Sequence, residues 1–159
     1  MLHRPHIEIV TEPTVGRLSG LCRVYAEGVA VAGGKARIWE VSETGALSAA
    51  AWSALSEADA VVFAPCHGGL TLSPAMQAFV VDGLLDPFGP DMSGKVASGL
   101  GNAPSLASIS AAAIRLGMTW AEGPGRPVLT DRNIRHTAQT LVGLITESEF
   151  QAPPDRMAA

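Results

Sequence analysis

The sequence predicts an α/β fold: one doubly wound parallel sheet of five strands in the order 2-1-3-4-5, with helices on both faces. Three observations lead there. Short runs rich in β-branched and apolar residues alternate strictly with segments of helical period, which is the signature of βα units. One run, Ala60-Val61-Val62-Phe63-Ala64, is apolar throughout, as a central parallel strand buried on both faces must be. It stops at Pro65 and Gly68-Gly69, and a new helix opens at Ser73-Pro74, with Ser as cap and Pro in the first turn. Five such units in a chain of 159 residues fit the 2-1-3-4-5 winding, whose ligand crevice lies between strands 1 and 3.

The elements follow in order. His6-Ile7-Glu8-Ile9-Val10-Thr11 is a first strand, broken by Glu12-Pro13. Leu18, Leu21, Cys22, Tyr25 and Val29 recur on one helical face, and Gly33-Gly34 ends that helix. Residues 35–41 alternate charged and apolar side chains and predict a second strand at a sheet edge. Residues 46–56 predict an Ala-rich helix carrying Trp52 and Leu55. The strand over 59–64 comes next, then the helix from Ser73. Residues 95–100 predict a fourth strand, and Pro104 opens a helix with Leu106, Ile109, Ala113 and Leu116 on one face. Met118-Thr119-Trp120-Ala121 is a weak fifth strand. Asp131 is expected to cap the last helix, where Ile134, Ala138, Leu141, Val142 and Ile145 line one side. Residues 1–150 are expected to form one domain, and 151–159 a frayed or disordered tail.

Composition narrows the partners. Hydrophobic residues make up 47% and charged residues 16%, which suits strands covered on both faces or an interface with another copy. The net charge is −4 with no basic run, so nucleic acid is not an expected partner. No apolar run approaches the roughly 18 residues needed to span a bilayer. Met1-Leu2-His3-Arg4-Pro5 lacks a signal-peptide core, and Cys22 and Cys66 make no disulfide framework, so the cytoplasm is the expected compartment.

Ligands in such a sheet bind at the carboxyl ends of the strands, so the turns there are the candidate site. The first turn runs into a helix N-terminus, where exposed N–H groups favour an anion; Thr14, Gly16 and the charge of Arg17 could hold a phosphate. In the second turn, Cys66 and His67 could be read as a nucleophile pair or as metal ligands. Sequence neighbours seldom face each other, and nothing completes a zinc set. The stronger reading is backbone lining a flat ligand, with His67 at its rim. No catalytic side chain and no metal ligand is therefore assigned. Gly99-Leu100-Gly101-Asn102 forms the third turn, whose glycines would free backbone donors. Trp39, Trp52 and Trp120 are expected in packing, as is Tyr25.

Three features together resemble one family. They are the first strand and turn Thr11-Glu12-Pro13-Thr14-Val15-Gly16 with a helix reaching Tyr25-Ala26-Glu27-Gly28; the strand ending Phe63-Ala64-Pro65 followed by Met76-Gln77-Ala78-Phe79-Val80-Val81-Asp82; and Gly94-Lys95-Val96-Ala97-Ser98 with Leu116-Gly117-Met118 downstream. Ile134-Arg135-His136 in the last helix is similar too. The chain resembles the flavodoxin-like NAD(P)H:quinone oxidoreductases of the tryptophan-repressor-binding-protein (WrbA) group and the related NADPH-dependent FMN reductases. The resemblance implies FMN as cofactor, NAD(P)H as co-substrate, a quinone or other small molecule as acceptor, and a homo-oligomer, dimer or tetramer. It implies flavin contacts from Thr11, Thr14, Val15, Gly16, Arg17 and Leu18 in the first turn. Pro65, Cys66, His67, Gly68 and Gly69 would supply the second turn, and Gly99, Leu100, Gly101 and Asn102 the third. The family's first loop presents hydroxyls to the FMN phosphate; matched on Gly16, this chain has Pro13, Val15 and Leu18 at three of those positions. Proline has no N–H, and valine and leucine have no hydroxyl. The alternative is thus a flavodoxin-like protein without FMN, a binding or interaction module for another ligand or partner.

Overall fold

The computed structural model describes residues 3–13, 17–65, 71–101, 103–121 and 130–150, with the backbone alone at 17, 149 and 150. The strands are β1 (His6–Thr11), β2 (Lys35–Glu40), β3 (Ala60–Ala64), β4 (Val96–Gly99) and β5 (Thr119–Trp120). All pair in parallel, in the order β2-β1-β3-β4-β5, which is the order the sequence predicts. The helices are α1 (Arg17–Val31), α2 (Ala49–Glu57), α3 (Pro74–Ala78), α4 (Ala103–Arg115) and α5 (Asp131–Phe150).

Two apolar layers sandwich the sheet. On one face Ile7, Ile9, Ala60 and Val62 meet Leu18, Leu21, Cys22, Tyr25 and Val29 of α1 and Ile134, Ala138, Leu141 and Ile145 of α5. On the other, Val10, Val61, Phe63 and Ala97 meet Leu55 of α2, Met76 of α3 and Ile109, Ala112 and Ala113 of α4. Alternation along each strand divides the residues between the two layers. Each large aliphatic side chain so buried contributes roughly 1.5–3 kcal/mol. Ala112, Ala113 and Ala51 pack inward, so part of each Ala-rich stretch serves close helix-on-sheet contact, while Ala49, Ala50 and Ala111 stay exposed.

Several details depart from the sequence reading. Helix α2 starts three residues later than expected, because Ser48 caps it by accepting from Ala51 N–H (3.1 Å). The last helix is capped by Thr130, whose Oγ1 accepts from Asn133 N–H (3.3 Å); Asp131 lies inside the first turn instead. Helix α3 widens into a π-helical segment, Phe79–Leu84, where Leu85 N–H reaches back five residues to Val80 O (2.9 Å). The expected tail at 151–159 lies outside the described residues.

Two acidic residues organise the strand ends and edges. Asp59 accepts from the backbone N–H of His6 (2.7 Å) and pairs with His3 Nε2 (2.9 Å), tying the start of β1 to the residue before β3. Glu8, 2% exposed, sits between β1 and the edge strand: Arg37 donates to Oε1 from Nη2 (2.7 Å) and Nε (3.1 Å), and Trp39 Nε1 donates to Oε2 (2.7 Å). A buried carboxylate is tolerable only with such partners. Trp39 is therefore a hydrogen-bond donor as well as a packing residue.

The turn between β2 and α2 is pinned by Gly45. Its φ is 82°, and a Cβ there would lie 2.5 Å from Ala75 O and 2.7 Å from Phe79 N. Both contacts are to backbone, so neither can rotate away. Gly45→Ala should lower unfolding stability by at least about 2 kcal/mol in urea titration; a loss under about 0.5 kcal/mol would contradict this packing.

Candidate functional site

Register brings three strand ends together. Thr11, the last residue of β1, stands opposite Ala64 of β3, and its hydroxyl donates to Ala64 O (3.2 Å). Phe63 stands opposite Gly99 of β4, and Leu100 N–H donates to Phe63 O (2.8 Å). Pro65 is buried, and a Cβ on Gly101 would come 3.1 Å from Pro65 Cγ. The turns that begin at Glu12, Pro65 and Gly101 thus leave the sheet along one edge.

Not every expected site residue can be followed into this rim. Thr14, Val15, Gly16, Cys66, His67, Gly68, Gly69 and Asn102 lie outside the described residues. Arg17 opens α1, and its side chain is likewise outside them. The remaining ones are turned largely inward. Leu18 and Leu100 are buried in the layer shared with α1 and α5, so their side chains pack the core. The side-chain space of Gly99 is filled, since a Cβ would lie 2.3 Å from Leu106 Cδ2 and 3.2 Å from Trp120. Gly99 is a glycine because the α4 layer packs against it, and the next N–H, that of Leu100, already belongs to the sheet ladder.

Two rim residues went unrecognised in the sequence. Glu12 directly follows β1 and is 6% exposed. Its carboxylate accepts from the hydroxyl of Ser73, and Ser73 Oγ in turn accepts from Met76 N–H (3.1 Å) as the cap of α3. One carboxylate therefore ties the first turn to the start of α3. The Ser-Pro cap was readable in the sequence, but the direction of its O–H was not. The second residue is Cys22, whose thiol meets the Thr11 side chain from α1. Burial pushes the Cys22 thiol above its ordinary range, partly offset by that hydrogen bond, and Glu40 adds a smaller upward push. Burial also raises the Tyr25 phenol, partly offset by Ser98, although the hydroxyl makes no well-formed hydrogen bond.

A phosphate group does not fit the described part of the first turn. The Thr11 hydroxyl is taken up by Ala64, Pro13 has no N–H, and Leu18 is in the core. Among the described residues no group of three or more His, Cys, Asp or Glu could hold a metal ion. An open cleft of about 690 Å³ lies between α2 and the π-helical segment, lined by Trp52, Asp82, Gly83 and Phe88, and it shares none of the described residues of the rim.

Comparison with known proteins places this architecture. No family model matches the chain, and no curated protein matches it in sequence. Solved structures do. A WrbA-like flavodoxin from Agrobacterium tumefaciens superposes with a TM-score of 0.72 at 18% identity, over 94% of this chain and 99% of that one. The fold is flavodoxin-like. A flavodoxin from the domain Archaea gives 0.64 at 16% identity, over 90% of this chain and 97% of that one. The rubredoxin oxygen:oxidoreductase of Desulfovibrio gigas gives 0.69 at 16% identity; the match covers 94% of this chain and 38% of that longer one. At these identities the likeness is one of fold. Among the described residues, no helix of this flavodoxin-like chain is long and apolar enough to cross a membrane.

The raised thiol and phenol carry a pH dependence with a definite sign. A raised folded-state pKa means that the folded protein keeps its proton where the unfolded chain has lost it, so stability is complete below the unfolded values and falls as pH rises. Those ordinary values are 9.0 for Cys22 and 10.0 for Tyr25. Urea midpoints should therefore fall above about pH 9. Cys22→Ala should flatten the first part of that decline; a midpoint that holds or rises up to about pH 10.5 would refute the assignment.

Proposed function

We propose that this chain is a flavin-binding oxidoreductase that takes electrons from NAD(P)H and passes them to a quinone or another small acceptor, working as a homo-oligomer. The observation that carries the proposal is the common rim at the ends of β1, β3 and β4. It lies where the winding of the sheet reverses, and open α/β sheets bind their ligands there. The neighbours in fold support the same reading, since their names include a WrbA-like flavodoxin and an oxidoreductase. A bound flavin supplies the electron chemistry, and the chain has only to position it and shape its field. That division explains why the reading requires no acid, base or nucleophile from the protein.

A second reading is favoured by one specific observation. The buried carboxylate of Glu12 occupies the turn where the family resemblance puts a phosphate. On this reading the flavodoxin-like rim has lost FMN and serves as a binding or interaction module for another ligand or partner.

The purified protein separates the two. Flavin absorbance near ~450 nm, or saturable quenching when colourless protein is titrated with flavins, is the expected result. NAD(P)H should then bleach the bound flavin, and a quinone should restore it. A colourless protein that leaves both FMN and riboflavin fluorescence unchanged at the highest soluble concentration would overturn the oxidoreductase reading and leave the module.

A further inference from the structure

We infer that the cleft between α2 and the π-helical segment binds a small organic cation with a flat apolar body. The inference is independent of the flavin reading and draws on no residue of the rim. Two aromatic rings line the cleft. Trp52 of α2 is half-buried and tilted against Phe79, with 5.5 Å between ring centroids. Its ring rests on Gly83, where a Cβ would lie 3.0 Å from two of the ring atoms. Gly83 belongs to the π-helical segment, and turns of that kind concentrate at functional sites. The loop that follows adds Phe88, which is 98% exposed; an aromatic ring left so fully in water beside a groove marks a surface made to be covered. The cleft volume of about 690 Å³ falls within the roughly 300–1,000 Å³ of small-molecule sites.

The charge of the lining selects the ligand. Asp82 and Asp86 both line the cleft and both are exposed, and none of the described lining residues is basic. Among the described residues neither carboxylate joins an ion pair. Asp86 is held in place: its Oδ1 accepts from Phe88 N–H (2.8 Å), and its carbonyl accepts from Gly89 N–H (2.8 Å). That turn fixes the backbone beneath the Phe88 ring and leaves Oδ2 as an acceptor. An ammonium group meets carboxylates here while its apolar body covers ring faces, and the negative faces of Trp52 and Phe88 attract the same charge. An anion is repelled by both. A second copy set on this cleft by a two-fold axis would bring Asp82 and Asp86 against their own counterparts, so self-pairing is disfavoured.

The test titrates the unaltered protein with naphthylmethylammonium, the matching alcohol and naphthylacetate, and follows the indole N–H signals of the three tryptophans by NMR. The Trp52 signal, assigned with Trp52→Phe, should move with the cation at concentrations where the alcohol binds weakly and the anion not at all. Asp82→Asn combined with Asp86→Asn removes both charges, and the change at 86 keeps an oxygen for Phe88 N–H. It should weaken the cation roughly tenfold and leave the alcohol unchanged. Phe88→Ser, at an exposed position where folding is not at stake, should weaken cation and alcohol alike. An anion bound as tightly as the cation, a Trp52 signal that none of the three moves, or no loss of cation binding in the double variant would overturn the inference. So would a change of subunit number in Phe88→Ser by size exclusion, which would make this face a contact between copies. Binding or loss of flavin leaves each of these outcomes as it stands.

Discussion

Everything in this molecule hangs on the parallel pairing of β1 with β3. The two strands are not consecutive, and residues 53 positions apart meet at their shared end, where Thr11 donates to Ala64 O. Between them in sequence lie α1, β2 and α2, which must fold back so that β2 takes the outside and β3 the inside. The burial of Ile7, Ile9, Val10 and every residue of β3 drives that arrangement. A slip of one residue in this register would exchange the two apolar layers and bring Glu8 into the α1–α5 core. The same register sets the three turns side by side, so the constraint that fixes the fold also assembles the rim.

The sheet was legible in the sequence because its signals are periodic. The apolar run of β3, the spaced face of α1 and the Ser-Pro start of α3 each follow from local chemistry. The alternation in residues 35–41 correctly marked an edge strand, since β2 is the outer one. What failed was whatever depends on a partner far along the chain. No pattern in the sequence tells that Asp59 answers His3 and His6, or that Trp39 donates to Glu8. The π-helical segment was invisible for a related reason. Phe79, Val80 and Leu84 suit an ordinary helix equally well, and the wider turn reflects how they fit against the layer beneath.

The rim was legible in outline, and its described residues add detail that the sequence did not carry. Sequence reasoning looked for donors and treated glycine as open backbone. In the structure, Gly99 is a place where Leu106 and Trp120 come close, and Leu18 and Leu100 belong to the core. The residue that stands out is an acid. Strand β1 and the residue after it bear two buried carboxylates, and each is answered differently: Glu8 by a guanidinium and an indole N–H, Glu12 by a serine hydroxyl. A cation neutralises the first. The bond from Ser73 ties the second to the start of α3.

The treatment of Glu8 has a consequence for solubility. Among the described residues, strand β2 leaves one side of its backbone unpaired, and such a ribbon invites another chain to add itself. Arg37 is held across Glu8 and the face of Trp39, with its outer part still in water, and Lys35 and Glu40 stand exposed at the two ends of the strand. A newcomer would have to strip water from these charges and compete with an ion pair that is already made. The pairing that neutralises a buried acid thereby helps to bring the growth of the sheet to a halt at its outermost strand.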